Sequence, residues 1–251
     1  MGPGVTWPGP LPAAVVVDLD DTLYPQAAYL RGAARAVGHA ATRAGLDGAA
    51  VRRALEAEFA AGSDRHGTID RALAACGVAP AVAGALVPDL VAAFTAYRPR
   101  RLPTYPGVPA ALATLRRYYP LACLTDGNPA GQRAKLAATG LATAFDAIVI
   151  TDELGGRSAR KPRPDGVIHA AELLGVAVDE VVVIGDRPAK DIAAAHAVGA
   201  RSIRVATGEY ASAPDDPPAT VRVEAFPEVV PLLCPPHAPP RPGARERDGR
   251  P

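Results

Sequence analysis

Five short β-branched runs, each closed by turn residues and followed by a helical pattern, constrain this chain more than any other feature: 13–18, 121–125, 147–151, 181–185 and 201–205. Near-continuous apolar runs of this length are buried on both faces, and their alternation with helices predicts a doubly wound, mainly parallel α/β sheet of Rossmann-like type. The alternation breaks once. Between Gln26 and Tyr97 strand signals vanish, and Ala-rich helical segments take over, with apolar residues at spacings such as Val51, Leu55 and Phe59.

The expected organisation is therefore an α/β core over 13–25 and 103–230, with an all-helical cap over 26–102 inserted after the first strand. Asp47 is placed to cap one cap helix and Gly77 to end another. The polar stretch 61–68 is expected to be a loop, with Arg65 and His66 candidates for reading a ligand. The ends, 1–12 and 231–251, are crowded with Pro, Gly and charge and are expected to be disordered tails, leaving Trp7 without a specific role.

A chain of 251 residues is long enough for this arrangement. Its 27 Lys and Arg against 26 Asp and Glu leave no electrostatic footprint for nucleic acid or an anionic membrane. Cys76, Cys123 and Cys234 are odd in number and far apart, so they read as reduced thiols. No run approaches the ~20 apolar residues of a membrane helix, and the first residues lack the pattern of a secretory leader. A cytoplasmic monomer or homodimer is the expectation.

The first strand ends in Val17-Asp18-Leu19-Asp20-Asp21-Thr22. Carboxylates leaving a buried strand are costly to place together unless a cation neutralises them, so a divalent metal is the economical explanation. Strand alternation points Asp18 and Asp20 the same way and Asp21 elsewhere, although such a string also suits a turn. After the second run come Thr125-Asp126-Gly127-Asn128, where a hydroxyl and backbone N–H groups could bind phosphate oxygens, or simply form a turn and cap. Lys161-Pro162 could set one fixed positive charge over a phosphoryl group, or belong to a solvated basic loop. Gly185-Asp186 and Asp191 could complete an oxygen-rich Mg²⁺ site, with helix capping the alternative for Asp191.

Taken in order, these four segments resemble the motifs of the haloacid dehalogenase superfamily of aspartate-based phosphohydrolases, over 13 to about 210. The resemblance implies that Asp18 is the nucleophile and is phosphorylated, and that Asp20 is the general acid and base. It implies that Thr125, Lys161 and the Asp126 backbone hold the phosphoryl oxygens. Mg²⁺ would be held by Asp18, the carbonyl of Asp20 and Asp186, with Asp191 a ligand or its support. Asp20 separates this pattern from relatives that cleave carbon–halogen bonds and resemble it without that residue. Asp126 departs from the Asn common at its position. The expected activity is hydrolysis of a small phosphorylated metabolite, with a phosphomutase or a non-catalytic binding protein on the same scaffold as alternatives. The resemblance also requires Asp20 to be protonated while Asp18 is ionised.

Overall fold

The computed structural model describes residues 6–234. Within them β1 (Ala14–Val17), β2 (Leu121–Thr125), β3 (Ala147–Ile150), β4 (Val181–Gly185), β5 (Arg201–Val205) and β6 (Val221–Val223) form one parallel sheet in the order β3-β2-β1-β4-β5-β6. The helices are α1 (Gln26–Arg43), α2 (Gly48–Ala60), α3 (Thr68–Ala75), α4 (Pro80–Ala96), α5 (Val108–Tyr118), α6 (Pro129–Thr139), α7 (Asp152–Gly155), α8 (Asp165–Leu174), α9 (Ala193–His196) and α10 (Val229–Leu233). The doubly wound α/β fold is as the strand runs predict. β6 escaped the sequence reading because three residues are too few to show a period.

β1 is central, with Val15 registered against Leu121 on one side and Val182 on the other. Val15 and Val17 join a cluster with Leu112 and Leu115 of α5 and Leu233 of α10. Ala14 and Val16 face the opposite way, against Val167 and Ala170 of α8 and Ala194 of α9. Because side chains alternate along a strand, burial on both faces requires an apolar residue at every position. Strand order also reverses at β1, and this opens a crevice at the carboxyl ends of β1, β2 and β4.

Helices α1 to α4 fall between β1 and β2 in the chain and pack a core of their own from Ala34, Val37, Val51, Leu55, Leu73 and Leu90. Asp47 caps α2, accepting from the N–H groups of Ala49 and Ala50 at 3.0 and 2.9 Å. Gly77, at φ 72°, turns the chain out of α3 in the left-handed region.

Packed chain does not stop at 12 or resume its end at 231. Arg201 stacks over the Trp7 ring at 5.1 Å and donates to the carbonyl of Pro8, while Leu232 and Leu233 of α10 are buried. A guanidinium on an aromatic face and two buried leucines outweigh the local Pro and Gly content. The rest of the expected tails, 1–5 and 235–251, lies outside the described residues.

Leu55 is fully buried in the α1–α4 core. Leu55→Ala is expected to cost about 2–4 kcal/mol, measured as a shift in the urea midpoint. A change within about 0.5 kcal/mol would contradict tight packing there.

Candidate active site

Asp18 follows β1, Thr125 ends β2 and Asp186 follows β4, so the sheet brings all three to one edge of the crevice. Lys161, from the loop before α8, donates its ammonium to Asp18 Oδ1 at 2.5 Å and to Asp191 Oδ1 at 2.6 Å. The Thr22 hydroxyl donates to Asp18 Oδ2 at 3.0 Å and lies 3.4 Å from Asp186 Oδ1. Asp18, Thr125, Lys161, Asp186 and Asp191 are all buried.

Oxygens of Asp18, Asp186 and Asp191 lie within 4.8 Å of one another. Facing them, Lys161 supplies one ammonium, so three ionised carboxylates leave two negative charges uncompensated. Burial is the main cause that pushes the Asp18 carboxyl up to about 7; Lys161 opposes it, and Asp191 and Asp20 add to it. Burial, then the charges of Asp191 and Asp18, raise Asp186 well above the carboxylate range. Burial works against the Lys161 charge, but Asp18, Asp191 and Asp126 outweigh it and hold the ammonium on. Asp186 Oδ2 is buried without a hydrogen-bond partner. Such an oxygen-only donor set, short of positive charge, fits a hard divalent cation.

Asp191 enters the cluster through a wide π-type turn over Pro188–Ile192 rather than by capping the next helix. Its Oδ2 accepts from the Arg187 N–H at 3.0 Å. Gly185 makes room for it, since a Cβ there would fall 2.3 to 2.5 Å from the Asp191 side chain.

Asp20 sits in a second group. The Lys135 ammonium lies 2.8 Å from both of its oxygens, the Tyr24 hydroxyl donates to one, and Gln132 Nε2 is 3.4 Å from the other. These neighbours are donors, so Asp20 accepts on both oxygens. Sequence reasoning missed Lys135 and Gln132. Both are buried on α6, one turn apart, and a Lys among Ala and Leu was the available signal.

Asp21 lies in the turn beyond β1, at φ 58°, and accepts from the N–H groups of Gln26 and Glu209 at 2.8 and 3.2 Å. The Asp126 carboxylate accepts from the Thr151 hydroxyl at 2.9 Å and the Lys161 N–H at 3.2 Å. Both contacts go to Oδ1; Oδ2 is buried without a hydrogen-bond partner, 3.9 Å from the Lys190 ammonium. Thr125 Oγ1 is buried without a partner. Of the basic run around Lys161, Arg160 is taken up by both oxygens of Asp152 at 2.6 and 2.7 Å.

A cavity of about 370 Å³ joins both groups, lined by Asp18, Asp20, Thr125, Lys161 and Asp186 and by Tyr29 and Phe94 from the α1–α4 helices. From the 61–68 loop it is Ser63 and Asp64 that line it, not Arg65 and His66. Arg65 leans 3.9 Å from Glu58, and the His66 carbonyl accepts from Arg71.

Residues 12–199 match the family model of haloacid dehalogenase-like hydrolases. The chain is 34% identical over 209 residues to a glyceraldehyde 3-phosphate phosphatase of Methanopyrus kandleri, covering 78% of itself and 85% of that relative. It is 39% identical over 189 residues to a phosphoserine phosphatase of Thermus thermophilus, covering 74% and 71%. Among solved structures it resembles a 2-haloacid dehalogenase from Pseudomonas syringae, at a TM-score of 0.61 and 23% identity over 89% of this chain and 98% of that one. It also resembles a HAD family hydrolase from Deinococcus radiodurans with bound phosphate and sodium, at 0.59 and 23% over 88% and 94%. The chain belongs to the haloacid dehalogenase-like hydrolases.

The raised Asp18 and Asp186 carboxyls mean that the folded protein holds protons already released by the unfolded chain. Without metal, this contribution to stability is full below the ordinary Asp value of about 4 and is lost as pH rises to about 7. Chelator-treated protein should therefore melt at progressively lower temperature across that window. A divalent cation should restore the loss and bind more tightly as pH rises, because it competes with protons. Melting curves at stepped pH, with chelator and with Mg²⁺, check this; a flat series in both would count against the cluster.

Proposed function

We propose that this hydrolase is a Mg²⁺-dependent phosphatase of a small phosphorylated metabolite, working through an aspartyl-phosphate at Asp18. The observation that carries the reading is the convergence of Asp18, Asp186 and Lys161, with the unpartnered Thr125 hydroxyl, in one cavity of metabolite size. The phosphatase names of the Methanopyrus and Thermus relatives support it.

In this account Thr125 and Lys161 hold the phosphoryl oxygens, and an Asp18 oxygen attacks phosphorus as the ester P–O bond breaks. Asp20, released from part of its contact with Lys135, gives a proton to the departing oxygen. Water then attacks the phosphorus of the aspartyl-phosphate and loses its proton to Asp20. Phosphate leaves, and the Asp18 carboxylate is regenerated. Asp18, Asp186 and the Asp20 carbonyl would hold Mg²⁺, which supplies positive charge against the anionic phosphoryl group. Asp191, which accepts from Lys161 and the Arg187 N–H, completes the carboxylate cluster as a further ligand or as its support. Helices α1 to α4 act as a cap that closes the cavity and excludes water.

A panel of phosphate esters assayed for inorganic phosphate should show turnover that needs Mg²⁺ and stops with chelator. Asp18→Asn should lower kcat by about 10³-fold or more; a variant with full activity would remove the nucleophile. Asp20→Asn should lower kcat by about 10²–10⁴-fold on alkyl phosphates and far less on p-nitrophenyl phosphate, whose leaving group needs no proton. An equal loss on both would deny Asp20 the role of acid.

A further inference from the structure

Two cations in the cavity take no part in the phosphoryl transfer set out above. Arg187 and Lys190, both in the turn between β4 and α9, line it alongside the buried cluster. Neither touches Asp18. Both reach to one carboxylate of the α2–α3 loop: Arg187 Nη2 and Lys190 Nζ each lie 2.9 Å from Asp64 Oδ2, and Lys190 Nζ is also 3.9 Å from Asp126 Oδ2. Arg187 is fixed from below by stacking over the Tyr210 ring at 4.1 Å and by donating to the Tyr210 hydroxyl at 2.8 Å. Its Nε is buried and has no acceptor.

This is a built receptor for a carboxylate-sized anion, with a side chain of the α1–α4 helices seated in it. Asp64 is a weak occupant, because its side chain is 49% exposed and exposed ion pairs contribute little net binding. Its loop is otherwise joined to the core through the Ser63 N–H, which donates to the Glu209 carboxylate at 3.2 Å. A ligand anion that keeps Arg187 and Lys190 paired and also satisfies Arg187 Nε can displace it.

We propose that Arg187 and Lys190 form a second anion subsite, which selects substrates bearing a carboxylate on the leaving group and which Asp64 fills until such a substrate arrives. The proposal rests on the phosphatase reading and narrows it to doubly anionic esters. The Asp64 contact then acts as a latch: a neutral leaving group leaves it shut, and an anionic one exchanges with it. Selection by paired charge of this kind works mainly by leaving buried donors unsatisfied when the wrong ligand binds.

The test is calorimetric and does not require turnover. With Mg²⁺ present, phosphonoacetate and phosphonopropionate are titrated against methylphosphonate and propylphosphonate. Wild type should bind at least one carboxylate-bearing phosphonate about tenfold or more tightly than its neutral partner. Arg187→Met should bring that ratio close to one. Lys190→Met should lower it as well and serves if the first variant fails to fold. Asp64→Asn, which removes the competitor, should widen the ratio. Equal affinities in wild type, or an Asp64→Asn ratio that falls, would overturn the subsite. Ester hydrolysis is assayed in parallel, so hydrolysis without carboxylate preference sinks this proposal alone, whereas absence of both hydrolysis and phosphonate binding sinks the phosphatase reading with it.

Discussion

Three carboxylates and one ammonium, all shut away from water, set the terms for the rest of this molecule. Asp18, Asp186 and Asp191 come from the ends of β1 and β4 and the turn that follows β4, and Lys161 bonds two of them directly. Burial of charge at this density is unfavourable unless protons or a cation make up the deficit. The raised carboxyls of Asp18 and Asp186 are the protein's answer in the absence of a metal. The sheet supplies what makes the cluster possible: β1 lies between β2 and β4 where strand order reverses, so loops from separate parts of the chain arrive together. Gly185 then lets the Asp191 side chain press against a strand that any larger residue would hold off.

Around this fixed centre the cavity is shared between two bodies of packing. The sheet and its flanking helices provide the charged floor, while Tyr29, Phe94 and Asp64 reach in from helices that have a core of their own. The two cores meet along α1 and α4, because Tyr29 and Ala33 are buried in the sheet-side cluster and Phe94 packs against both. The polar ties between them, Asp64 to Arg187 and Lys190 and Ser63 to Glu209, are few and exposed. Asp20 stands at this junction. It is joined to α6 through Lys135, whose ammonium lies 4.5 Å from the centroid of the Tyr29 ring of α1.

Much of this was legible in the residues, and the parts that were not have a common cause. Strong local periodicity carried β1 to β5, the helical insertion, the Asp47 cap and the left-handed Gly77, because each depends on neighbours in sequence. Asp18, Thr125, Lys161 and Asp186 stood out because each follows or ends a strand or opens the loop before a helix, and the fold brings them to one cavity. The rest depends on distant partners. Lys135 matters because of Asp20, more than a hundred residues earlier in the chain, and a lysine among Ala and Leu does not by itself name that partner. Asp126 looks awkward for an anion site in sequence; in the fold Thr151 and the Lys161 N–H claim one of its oxygens, and the other lies 3.9 Å from Lys190. Asp64 was passed over for its charged neighbours Arg65 and His66, since only the fold decides which face of a loop meets the cavity. Trp7 was set aside for the same reason: its partner, Arg201, is far along the chain.

The central claim is that Asp18 itself takes the phosphoryl group. Acid quenching of the enzyme during steady turnover, followed by peptide mapping by mass spectrometry, addresses it without reliance on any variant. A phosphoryl adduct is expected on the peptide spanning β1 and Asp18, acid-stable and lost on treatment with hydroxylamine as an acyl-phosphate should be. Turnover with the adduct on another residue, or direct transfer to water with no adduct at saturating substrate under conditions that slow the second step, would contradict it.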